Sequence, residues 1–169
     1  MKIIVNDANL LIDLVELNIL ADFFGLEVEF HTTEIILDEL ADEQKERLFH
    51  YIEKERLIVD TLTEGDLIEI FLIRASKPNL SEQDCSAFCK ARNDHAAILT
   101  SDNFLRKFAK SYNIEVYGHL WIFDSLVDRE IMTGISAAEK LNQLCRVVNP
   151  KLGLPFAECR TILFRKVWF

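Results

Sequence analysis

Through residue 118 the chain alternates short apolar runs with segments whose apolar residues recur at helical spacing. Lys2–Asn6 (KIIVN) predicts a buried strand. Asn9–Leu17 predicts a helix on Leu10, Leu11, Leu14, Val15 and Leu17, continuing loosely through Leu20–Phe24 to a stop at Gly25. Glu27–Phe30 predicts a second strand. His31-Thr32-Thr33 then supplies a turn and an N-cap for a helix over Thr33–Ala41, which would set Glu39 two turns in. Glu43–Arg56 predicts a surface helix with Leu48, Tyr51 and Ile52 inward. Leu57–Leu62 (LIVDTL) predicts a strand whose place in the main sheet stays open. Thr63 introduces a helix over Glu64–Ala75 with Leu67, Ile70 and Phe71 as its apolar face.

After a loop at Ser76–Asn79, Ser81-Glu82-Gln83-Asp84 has the spacing of a capping box with Asp in place of Glu. Its helix should run to about Arg92, with Asn93-Asp94-His95 closing it. Ala96–Thr100 predicts a strand, Asp102–Ser111 a helix and Glu115–Tyr117 a last short strand, ended by Gly118. Beyond this the pattern is helical: His119–Glu130, then Ser136–Val148 capped by Ser136 with Glu139 three residues on. Asn149–Pro155 (NPKLGLP) breaks the chain, and Phe156–Phe169 predicts a final helix whose apolar end packs on the domain or on a second subunit. Strands alternating with helices predict an α/β fold, three layers α/β/α around a mostly parallel four- to five-stranded sheet, plus C-terminal helices. At 169 residues the chain reads as one domain, with a core over 1–130 and a helical extension over 131–169.

Composition narrows the function more than the fold. The formal charge is −9, which argues against broad attraction to nucleic acid while leaving room for a local basic groove. It also suits a carboxylate cluster held by a divalent cation. No apolar run approaches the roughly 20 residues that span a bilayer, and the polar break at Asn6-Asp7 does not read as a signal peptide. Cys85, Cys89, Cys145 and Cys159 are too few and scattered for a disulfide framework or a zinc site, so a reduced, cytoplasmic setting is expected.

Four acids are candidates for chemistry. Asp7 and Asp102 each follow an apolar strand, Asp84 opens the helix before the second of those strands, and Glu39 lies on a helix after another strand. Singly, each has a bland reading: Asp7, Asp84 and Asp102 as turn or cap carboxylates, Glu39 as a solvated helix acid. Together at the carboxyl edge of a sheet they would repel one another unless protonated or metal-bound. An oxygen-only ligand set favours Mg²⁺ or Mn²⁺, which can acidify a bound water and neutralise a phosphodiester. Ser101, Asn103 and Arg106 flank the same crevice and are candidates for substrate binding. Arg92, Lys107 and Lys110 could steer an RNA backbone or be solvated helix charges. His31, His95 and His119 stand at element ends, as surface or turn histidines, and Trp121 and Phe123 should form core or dimer surface.

The segments IIVNDANLLIDL, TTEIILDEL, LSEQDCSAFCKARN and AILTSDNFLRKFAKSYNIEVYGHLWIFDSLV resemble, in order, the motifs of a PIN domain over roughly residues 1–145. The last of them is specific in combination. The resemblance implies that Asp7, Glu39, Asp84 and Asp102 are the catalytic and metal-binding acids. It further implies a Mg²⁺- or Mn²⁺-dependent endoribonuclease, a toxin of a toxin–antitoxin pair of the VapC type. Its partners would be RNA, a small antitoxin and a second copy. PIN proteins often carry a further acid where this chain has Ser101. That residue either positions phosphate or a metal-bound water, or caps the following helix, the cap being favoured. A non-catalytic PIN-like protein-binding module is the alternative. A phosphoryl-transfer receiver or phosphatase is disfavoured, because Asp7-Ala8-Asn9 lacks a second Asp and no Lys ends a later strand.

Overall fold

A computed structural model describes residues 3–154. Five strands form one sheet: β1 (Ile3–Asn6), β2 (Glu29–Thr33), β3 (Leu57–Asp60), β4 (Ala97–Leu99) and β5 (Val116–Tyr117). Their order is β3-β2-β1-β4-β5, and every pairing is parallel. β3, whose place the pattern left open, is thus an edge strand beside β2. The fold is the expected α/β architecture.

The helices are α1 (Ala8–Glu16), α2 (Leu20–Phe24), α3 (Glu34–Asp38), α4 (Asp42–Glu53), α5 (Glu64–Ser76), α6 (Glu82–Asn93), α7 (Asn103–Ser111), α8 (His119–Asp128) and α9 (Gly134–Gln143). A π-helical turn over Leu144–Val148 extends the last of them. Parallel strands covered on both faces carry apolar residues without alternation. Accordingly Ile4, Val5, Ala97, Ile98 and Leu99 are all buried, together with Leu10, Leu11 and Leu14 of α1 and Phe88 of α6. Among the described residues no helix is long and apolar enough to cross a membrane.

The sheet turns back on itself at its centre. From β1 the chain steps outward through β2 to β3, then returns to place β4 on the other side of β1. Where strand order reverses, the helices leaving the two central strands diverge and open a crevice at the carboxyl ends. Asp7 follows β1 and Asp102 lies just beyond β4, so both acids flank that opening.

Several local expectations are revised. Asn18 adopts a left-handed conformation (φ 55°) and separates α1 from α2. β2 runs on through His31, Thr32 and Thr33, because Thr32 and Thr33 pair with β3 instead of turning. α3 is consequently short, and Glu39 is its C-cap, not a residue two turns in. On α5 only Ile70 is buried; Leu67 and Phe71 are exposed, at 47% and 71%, because the helix packs on α6 and leaves those positions uncovered. Thr133, not Ser136, caps α9, accepting from Ser136 N at 3.2 Å. Phe123 is core, as expected, while Trp121 is half-buried against Tyr117. The helix expected over 156–169 lies outside the described residues.

Candidate functional site

Asp7 is the N-cap of α1 and is 2% exposed. Its Oδ1 accepts from Ala8 N at 2.8 Å, and its Oδ2 accepts from the hydroxyl of Thr100 at 2.8 Å. Burial pushes its pKa up to about 7; the Thr100 and Ala8 hydrogen bonds oppose the rise, and the charges of Asp84 and Glu39 add to it. Backbone pairing continues past the strand, with Asp7 N donating to Leu99 O at 3.1 Å, so the acid is fixed against β4.

Asp84 completes the capping box legible in the sequence. Its Oδ2 accepts from Ser81 N at 2.8 Å, and its own N donates to Ser81 Oγ at 3.0 Å. Burial raises its pKa, the Ser81 hydrogen bonds hold it down, and the charge of Asp102 raises it further. Asp102 caps α7, its Oδ1 accepting from Leu105 N at 2.8 Å. Glu39 stands at the rim with its side chain largely in water. Partial loss of that water on the crevice side, then the charge of Asp84, raises its pKa.

These couplings run between Asp7 and Asp84, Asp7 and Glu39, Glu39 and Asp84, and Asp84 and Asp102. All four predicted acids therefore share one field. Asp7 and Asp102 also N-cap helices of nine residues, and Asp84 closes the capping box of α6, so the cap reading holds for three of the four. The N-terminal dipoles of α1, α6 and α7 face the crevice and favour negative charge there.

Sequence reasoning missed the residues that align these acids. Thr100 donates to Asp7 and accepts from Asp102 N at 3.0 Å, joining the two strand-end acids through one hydroxyl. Thr33 caps α3 by accepting from Ile36 N, and its hydroxyl lies 2.8 Å from Ser86 Oγ, which donates to Gln83 O. That buried contact ties the N-cap of α3 to the second turn of α6, the two helices that carry Glu39 at one end and Asp84 near the start. Thr100 was signalled only as the last residue of an apolar strand; Thr33 and Ser86 carried no joint signal, being 53 positions apart.

The remaining predicted residues separate. Ser101 is not a cap, since Asp102 takes that position; it lines a cavity next to the acids with Asn103 and Arg106. Arg106 Nη1 donates to Thr100 O and Tyr117 O at 3.0 and 2.9 Å, bracing the ends of β4 and β5. Gly118 permits this, because a Cβ there would lie 3.1 Å from Arg106 Nη1. Arg92 is drawn away from the crevice: at the last turn of α6, it forms a bidentate pair with Glu69. His31 and His119 are buried rather than at the surface. His31 sits between Asp60 and Glu29, at 2.7 and 2.9 Å, and His119 Nε2 lies 2.9 Å from Asp13 Oδ2.

Among the described residues none of the four acids forms an ion pair with a Lys, Arg or His. Nor do any three His, Cys, Asp or Glu side chains among the described residues stand close enough together to hold a metal ion. The four acids offer oxygen donors alone, and the pKa values of Asp7, Glu39 and Asp84 are raised; by donor type such a set suits a hard divalent ion. Comparison with known sequences agrees with the geometry. A family model described as a PIN domain matches residues 3–148. No curated protein matches the chain.

Proposed function

The chain belongs to the PIN-domain family, and from that premise we propose that it is a metal-dependent endoribonuclease. The observation that carries the proposal is the field shared by Asp7, Glu39, Asp84 and Asp102 at the point where strand order reverses. Asp7, Asp84, Asp102 and, from the rim, Glu39 would hold Mg²⁺ or Mn²⁺. Such an ion supplies positive charge to the phosphodiester and makes a water more acidic. Glu39 is the most exposed of the four and its pKa is raised, so it is placed to take the proton of the attacking water. The water oxygen bonds to phosphorus as the opposite P–O bond breaks, and the departing ribose oxygen takes up a proton from solvent, leaving one hydroxyl end and one phosphate end. Thr100 keeps the Asp7 carboxylate in one orientation throughout.

In cells we place this activity in the cytoplasm, as the toxin of a VapC-type toxin–antitoxin pair. A small antitoxin would cover the crevice and could direct an Arg at its carboxylates, and the toxin itself could pair with a second copy. The test is cleavage of single-stranded RNAs by the purified chain with Mg²⁺ or Mn²⁺, beside Asp7→Asn. Cleavage that needs the metal and is lost in Asp7→Asn supports the reading. Equal activity in both proteins, or none in folded, antitoxin-free protein, overturns it. The second reading, a PIN-like module that binds a protein partner without catalysis, draws on Ser101 standing where related chains carry an acid. Calorimetry with Mn²⁺ separates the two, since the module predicts no binding that depends on Asp7 and Asp102.

A further inference from the structure

A cavity of about 390 Å³ opens at the carboxyl ends of β4 and β5, lined by Ser101 and Asn103, the neighbours of Asp102 in the chain. Thr100, whose hydroxyl holds Asp7, forms part of its wall, so the cavity adjoins the acid that follows β1. One side is aromatic: Tyr117 and Trp121 stack with ring centroids 4.8 Å apart and planes 26° from parallel, leaving Trp121 half-buried. Leu152 and Leu154 close the cavity with apolar surface. Its polar lining includes Asn103, in the first turn of α7, and the braced guanidinium of Arg106.

We propose that this cavity binds one unpaired nucleobase of the RNA strand adjacent to the phosphodiester at the acids, with Trp121 as its stacking surface. The inference deepens the nuclease reading and rests on it for the placement of the phosphodiester. Three features select this ligand. A flat aromatic face next to aliphatic side chains suits a base better than a phosphate or an ion, and the volume admits a purine or a pyrimidine. The amide of Asn103 and the N–H groups of Arg106 can meet polar base edges or the adjoining phosphate. A base can enter only if it has left a duplex, so the cavity selects single-stranded RNA. Stacking also explains how a chain of net charge −9 holds a polyanion without a broad basic face. Binding should accordingly depend only weakly on salt.

The experiment uses the full chain and fluorescently labelled RNA. Anisotropy without divalent metal gives affinity, and cleavage is followed separately with Mn²⁺. The substrates are one single strand, the same strand with a single abasic residue walked along it, and the matched duplex. The proteins are wild type, Trp121→Leu and Trp121→Phe, each checked for folding by its melting transition. Stacking on one aromatic predicts about tenfold or greater weakening at one abasic position and in Trp121→Leu. The two losses should not add, and Trp121→Phe should recover most of the affinity. Affinity of Trp121→Leu equal to wild type, an abasic effect that persists undiminished in that variant, or no RNA binding by wild type would each overturn the proposal. Base-dependent binding through Trp121 without cleavage would leave the pocket standing and remove the nuclease reading. Cleavage indifferent to Trp121 would do the reverse.

Discussion

Thr100 donates its hydroxyl hydrogen to Asp7 Oδ2 across 2.8 Å while accepting from Asp102 N at 3.0 Å. One side chain on β4 therefore orients the acid leaving β1 and tethers the backbone of the acid that caps α7. A carboxylate with no water to turn in needs such a partner. Here the partner also lies against the cavity proposed to receive a base.

Thr100→Val keeps the shape and removes both hydrogen bonds. The buried Asp7 carboxylate then loses its only side-chain donor in the described structure, costing about 1–3 kcal/mol of stability. Outer partners of metal-binding carboxylates typically matter by roughly 10- to 100-fold in metal affinity or activity. Calorimetry with Mn²⁺ and urea unfolding should show both losses in Thr100→Val and little of either in Thr100→Ser. A Thr100→Val protein with unchanged Mn²⁺ affinity would show that this hydroxyl does not align the site.

In metal-free protein, Asp7 should make stability fall as pH rises. Its pKa is about 7 when folded and near 3.8 when unfolded, so between these values the folded chain holds a proton that the unfolded chain has released. The stabilisation is complete below about pH 4 and is lost by about pH 7, a change on the order of 4 kcal/mol from this group. Asp84 and Glu39 act in the same direction, and Asp66 and Glu69, with lowered values, in the opposite one. Subtracting the curve of Asp7→Asn isolates the Asp7 contribution, which should flatten above pH 7. Saturating Mn²⁺ should reverse the slope for wild type, because the ion binds the ionised carboxylate. A difference curve that is flat from pH 4 to 8 would refute the buried, proton-holding Asp7.

His119, Asp13 and Asn149 join three distant parts of the chain. His119 Nε2 lies 2.9 Å from Asp13 Oδ2, at ion-pair distance though out of line for a hydrogen bond, and Asn149 Nδ2 donates to the same oxygen at 3.0 Å. Both His119 and Asp13 are buried. His119→Ala strands the Asp13 carboxylate beside a void and should cost roughly 3 kcal/mol. Asp13→Asn should cost less, since an imidazole left without its partner can release its proton, and Asn149→Ala less, since it removes one hydrogen-bond donor and no charge. Chemical denaturation of the three variants tests that ordering. Equal stability of His119→Ala and wild type would mean the cluster does not fasten α8 to α1.

What was legible in the sequence was local. The runs KIIVN and AAILT announce strands by composition, and Asp7 and Asp102 follow them by one and two positions. Ser81 and Asp84 sit at capping-box spacing, and the structure forms that box. Such signals need only neighbours along the chain, because caps and strand ends are satisfied within a few residues. The motif order from Asp7 to Asp102 was enough to resemble the right family. Tertiary structure alone decided the rest. The pairing of β2 with β3 drew Thr32 and Thr33 into the strand, shortened α3 and moved Glu39 to its end. Docking on α6 decided that α5 buries Ile70 and exposes Phe71, two residues equally apolar to any periodicity. The Asp7–Thr100 bond spans 93 positions and forms only because β4 returns to lie beside β1. Contacts made by strand order carry no signature in either partner's neighbourhood, so the capping positions of Asp7, Asp84 and Asp102 could be read locally and the Thr100 hydroxyl that joins Asp7 to Asp102 could not.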